Sequence, residues 1–245
     1  MSASQGVPPR RRWAVWSKRL GIAAALLLVV VAGTGWLLFQ HIPAWYRPME
    51  ISPEAAVTVR TEFANMIDGV GGGLNSAQGR FECRFTQAQL NTWVAGREAI
   101  DPMTRKWLPS GLRDPMVVIE PDGARLAVAA RTGGVETVLG LKVQAHVEEK
   151  GIRVWLTDVT CGSLPVPRAL IEDQLGKIDA ALRSRGGRGE VEWPIPSLTG
   201  LFEGILLPNE WDWPNVRRRF RIAEVRAEPG ILILTLEPLG SHRSR

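Results

Sequence analysis

The segment from Leu20 to Phe39, LGIAAALLLVVVAGTGWLLF, runs for twenty residues without a charge and limits what the chain can become more than any other feature. A helix rises ~1.5 Å per residue, so a run of this length crosses a hydrocarbon core of ~30 Å, where a helix satisfies its own backbone. Arg10, Arg11, Arg12, Lys18 and Arg19 precede it with no acid among them, whereas the following QHIPAWYRPME carries only Arg47 and Glu50. The flank richer in Lys and Arg stays cytoplasmic. This predicts a cytoplasmic tail over 1–19, one membrane span over 20–40, a juxtamembrane linker over 41–51, one extracytoplasmic domain over 52–240 and a short tail over 241–245. Trp13, Trp16, Trp36, Trp45 and Tyr46 are placed as interfacial aromatics would be. A cleavable signal would have a shorter apolar core and a small-residue cleavage site, and Trp-Ala-Val-Trp after the arginines is a poor match to a paired-arginine export signal, so the span reads as a retained signal-anchor.

The five leading bases account for the whole formal charge of +5, leaving the rest of the chain balanced between acids and bases. A domain without a basic footprint argues against nucleic acid as a partner. Cys83 and Cys161 both follow the span, where an oxidising compartment would permit a disulfide, and each also reads as a small buried hydrophobe.

Within the domain, Ser52-Pro53-Glu54 is a helix start, and Val59, Phe63, Met66 or Ile67 and Val70 recur at helical spacing before the glycine run at 69–73, which reads as a connector. Phe81, Cys83 and Phe85 alternate as in a strand, and Thr86 then caps a short helix that buries Leu90, Trp93 and Val94. Glycines at 123, 151 and 230 each precede an apolar run and predict three hairpin corners. Val135 to Glu148 alternates over about 14 residues, with Val135, Thr137, Leu139, Leu141, Val143, Ala145 and Val147 on one face, a strand of ~45 Å. Pro167 leads into a helix with an Ile171, Leu175, Ile178 and Leu182 stripe. The expected fold class is α+β, a transmembrane helix followed by a long curved antiparallel β-sheet packed on two amphipathic helices.

Catalytic chemistry has no support in the residue pattern. The histidines are His41, His146 and His242, far apart in sequence, and no H-E-x-x-H, G-x-S-x-G or S-x-x-K motif occurs. No metal, cofactor or catalytic residue is expected, and the chain reads as a non-enzyme. The arginines at 217, 218, 219 and 221 read as a solvated strand face.

FTQAQLNTWV, LRDPMVVIEPDGARLAV, VTCGSLPVPRALIEDQL and FRIAEVRAEPGILILTL, in this order over most of residues 52–238, resemble segments of bacterial single-pass envelope proteins of the YpmS-like and LmeA-like type. The resemblance implies a tubular lipid-binding fold on the outer side of a bacterial plasma membrane, with its domain periplasmic or extracytoplasmic. The expected ligand is a lipid or acyl chain, in an apolar groove walled by Leu139, Leu141, Val143, Ile171, Leu175, Ile178 and Leu182. The alternative is a non-catalytic scaffold for another envelope protein, in which those residues are a packed core.

Overall fold

The computed structural model describes residues 10–76, 79–102, 104, 108, 111–132, 134–173, 176–177, 198–213 and 218–239, with the backbone alone at 10–18, 132, 198 and 199. The fold is α+β, with a long apolar N-terminal helix and two large antiparallel sheets. Helix α1 runs from Arg10 to Gln40, and its part from Arg19 onward is long and apolar enough to cross a membrane, with no residue buried against the rest of the chain in its most apolar window.

Helix α2, Pro53–Ser76, starts where the capping pattern places it, with the Ala55 N–H donating to Ser52 Oγ at 3.3 Å. It does not stop at the glycines. Val70 and Leu74 are buried against Phe220 and Leu236, and that burial outweighs the ~1 kcal/mol helix cost of a glycine. Gly73 has a packing reason: a Cβ there would lie 2.8 Å from the Phe81 ring. The glycine run is thus part of the helix that faces the next strand.

Strand β1, Phe81–Thr86, leads into α3, Gln87–Ala95, through a capping box in which Thr86 and Gln89 each accept from the other's backbone N–H. A single turn, α4, Arg97–Ile100, follows. The strands are then β2 Leu112–Glu120, β3 Gly123–Thr132, β4 Val135–Glu148, β5 Gly151–Cys161, β6 Leu164–Pro165, β7 Ile205–Leu207, β8 Glu210–Trp213, β9 Arg218–Glu228 and β10 Ile231–Pro238. Residue pairs Glu120–Gly123, Glu148–Gly151 and Glu228–Ile231 close three two-residue hairpins at the expected corners. At Gly123 (φ 151°) a Cβ would strike the Val143 carbonyl oxygen, which explains the glycine there.

One long sheet was expected, and the strands divide into two. A six-stranded sheet has the order β2-β3-β4-β5-β6 with β7 also on β5, and a four-stranded sheet has the order β1-β10-β9-β8. The division falls at the β2 edge, which α3 and the β9–β10 turn seal. The Asn91 amide donates to Val117 O at 2.8 Å and accepts from Val117 N–H at 2.7 Å. Gln87 Oε1 accepts from Ile119 N–H, and Gly230 N–H donates to Ile119 O. Side-chain amides therefore do the work of a neighbouring strand and leave no edge at these positions for another chain to join.

Residues 41–51 are not a free linker. Tyr46 is only 9% exposed and packs with Met116, Ala127, Ala129 and Val138, with Trp45 against the same cluster. The Tyr46 hydroxyl donates to Asp114 O at 2.6 Å, and the Arg125 guanidinium sits 5.2 Å from the Trp45 ring centroid. Tyr46 thus belongs to the domain core, with Trp45 half-buried against it. The covered face is the one that carries Val138, the most buried residue of β4, and the strand is apolar on both faces over this part.

Candidate functional site

Three apolar strips converge between α2, α3 and the inner face of the four-stranded sheet. From α2 come Phe63, Met66, Ile67 and Val70, spaced at three and four residues so that they share one side of the helix. From α3 come Leu90 and Trp93. From β10 come Leu232, Leu234 and Leu236, alternate residues of one strand face, and from the neighbouring β9 come Phe220 and Ile222, the latter opposite Leu236.

These side chains do not fill the space between them. All but Phe63 line a cavity of about 290 Å³, closed also by Cys83, Phe85 and Trp213, with no charged or hydroxyl-bearing side chain in its wall. Burial pushes the Cys83 thiol pKa up, so it stays protonated and behaves as a small apolar group. Leu90 and Trp93 also line an adjoining cavity of about 570 Å³ with Phe63, Val94, Arg97, Ile100, Asp101, Thr104, Leu108 and Pro115. A smaller one of about 240 Å³ lies beside Arg60, Phe63, Ala64, Ile67, Asp68 and Ile100. Trp93 stands where the first two meet, edge-on to Phe63 at 5.5 Å and to Phe85 at 5.9 Å between centroids. Volumes of ~300–1,000 Å³ with mostly apolar walls are those of small-molecule sites.

The residues expected to wall a groove are divided by the structure. Val143 and Ile171 meet, but in a buried cluster with Leu156, Val159, Val166, Leu201 and Phe202. Leu139 is half-buried, and Leu141 is 37% exposed beside its cross-strand partner Leu126 at 41%. Leu175, Ile178 and Leu182 lie outside the described residues. Cys83 and Cys161 are both free thiols on different sheets, so no disulfide joins them; Cys161 Sγ lies 3.6 Å from Thr137 Oγ1. Trp36 is exposed on α1 and stacks on Phe39, and the side chains of Trp13 and Trp16 lie outside those described.

The cavity residues were visible in the sequence as separate strips, the α2 stripe and the ILILTL run. What the sequence does not show is that the two face each other. The longest alternating run, in β4, belongs to the other sheet.

The end of α1 is built into the domain. Ser163 N–H donates to Leu38 O, Thr137 Oγ1 donates to Phe39 O at 2.6 Å, and His41 Nδ1 lies 2.6 Å from Ser163 Oγ. Carbonyls left open at the helix C-terminus thus find their partners in the six-stranded sheet. Outer-face arginines are paired, Arg219 with Glu210, Arg221 with Glu237 and Arg226 with Glu82. Among the described residues no group of three or more His, Cys, Asp or Glu is close enough to hold a metal ion.

No protein-family model matches the chain, and no curated protein or solved structure shows significant similarity to it.

Proposed function

We propose that this protein binds an acyl chain at the outer face of a bacterial plasma membrane, with α1 as the anchor and its N-terminus cytoplasmic. The two larger cavities, which share the Leu90 and Trp93 wall of α3, are the site. The observation that carries the reading is an open space with wholly apolar walls in a domain tied to a helix able to span a bilayer. Orientation is supported by the bases before α1. The resemblance to YpmS-like and LmeA-like envelope proteins supports the same reading.

A native mass spectrum of the full chain, stripped of detergent in the gas phase, tests it. A stoichiometric lipid-mass adduct is expected, and Leu90→Trp, which fills the wall shared by the two larger cavities, should lower its occupancy severalfold. A bare protein that also takes up no added lipid would overturn the proposal.

One observation favours a second reading, a non-catalytic scaffold. Leu126 and Leu141 form an exposed apolar pair on the open face of the six-stranded sheet, as a partner's footprint would. Serine at both positions leaves the adduct unchanged if the cavities are the site, and releases an envelope partner if this face is one.

A further inference from the structure

We infer that the cavity of about 570 Å³ takes a single acyl chain ending in an oxyanion, and that Arg97 holds the oxyanion. This rests on the lipid-binding reading above and names its ligand class.

Arg97 is the one base among the described residues that line this cavity. A guanidinium offers five N–H donors in a planar fork that matches a carboxylate or phosphate. Few of the five are used. Nη1 donates to Val94 O at 3.1 Å, while Nη2 lies 3.6 Å from Glu98 Oε1, beyond hydrogen-bond length. Nε is shielded from solvent and has no acceptor. The side chain is 24% exposed and lines the cavity.

The hydroxyl in the wall does not compete for the guanidinium. Thr104 is buried and spends its hydroxyl on Asp101 O at 2.6 Å, and Asp101 has an interaction of its own. Glu98 is half-exposed, and a loose surface pair of that kind is weak. A two-pronged contact to an oxyanion shielded from water is stronger. Beyond Arg97 the wall turns apolar through Val94, Phe63 and Leu90 to Trp93, where the smaller apolar cavity adjoins. One base in an otherwise mainly apolar wall fits one chain with one head.

The test places the full chain in phosphatidylcholine nanodiscs at pH 8 and adds spin-labelled stearic acid or its neutral methyl ester. Quenching of Trp93, isolated as the difference from Trp93→Phe, reads occupancy. The acid should bind about tenfold more tightly than the ester, the size of a charge-assisted contact. Arg97→Gln should abolish that preference without abolishing ester binding, and Arg97→Lys, which keeps the charge, should restore part of it. Equal binding of acid and ester, or a preference that survives Arg97→Gln, overturns the role of Arg97 and leaves the lipid-binding reading standing. No quenching by either probe overturns both. Displacement of the bound acid by palmitate assigns a free fatty acid and by lysophosphatidate a lipid headgroup; displacement by neither overturns the single-chain assignment.

Discussion

Tyr46 is the only tyrosine in the chain, and the structure puts it where its titration is informative. Burial, and next the negative charge of Asp114, push its phenol pKa from the ordinary 10 up to about 12. The protonated form is the one the fold favours, so this stabilisation is complete below pH 10 and is lost as pH rises from 10 through 12. Absorbance at 295 nm, which reads tyrosinate, should therefore show one transition near 12 in the folded chain and near 10 in guanidinium chloride; coincident transitions would mean Tyr46 is exposed. Asn91 shows the same dependence on surroundings: a buried amide is costly unless paired, and Val117 supplies both its donor and its acceptor.

At the scale of elements, α2 sets two glycines with opposite requirements one residue apart. A Cβ at Gly72 meets nothing within 4 Å, whereas one at Gly73 enters the Phe81 ring. Gly72→Ala should then stabilise the protein by ~0.5–1 kcal/mol through helix propensity alone. Gly73→Ala should destabilise it, because the ring it displaces belongs to the cluster of Val70, Leu74, Phe220 and Leu236. Thermal unfolding of the two variants in one detergent checks the sign of each. If both raise the midpoint, α2 does not lie this close to β1. The hairpins are more forgiving, since each corner is closed by local turn chemistry and its register by the alternation of the flanking strands.

For the whole molecule, helix α1 and the domain are continuous. The last carbonyls of α1 are bonded to Thr137 and Ser163, and the next residues enter the core of the six-stranded sheet. A flexible tether would tolerate replacement of residues 43–47 by glycine and serine. Here that change empties the sites of Trp45 and Tyr46, and deletion of a buried aromatic side chain costs ~3–5 kcal/mol. For a domain of this size the unfolding midpoint should fall by roughly 10 °C. An unchanged midpoint would restore the linker. Because the sheet is held at the end of α1, the domain has a set orientation to that helix.

The sequence alone determined what depends on local chemistry: the uncharged span, the Thr86–Gln89 capping box, the three two-residue turns and the alternation of β4, each decided by residues within a few positions of one another. It also held the strips that line the cavities, as a 3.6-residue stripe in α2 and a two-residue alternation in β10. Tertiary structure decided what those strips face. Burial of Val70 and Leu74 carried the helix through its glycines, packing of Trp45 and Tyr46 turned a supposed linker into core, and division of the strands into two sheets put Cys83 and Cys161 apart. Amphipathic periodicity says that a face is covered and not by what, because hydrophobic burial has no direction and its partner is chosen by contacts far along the chain.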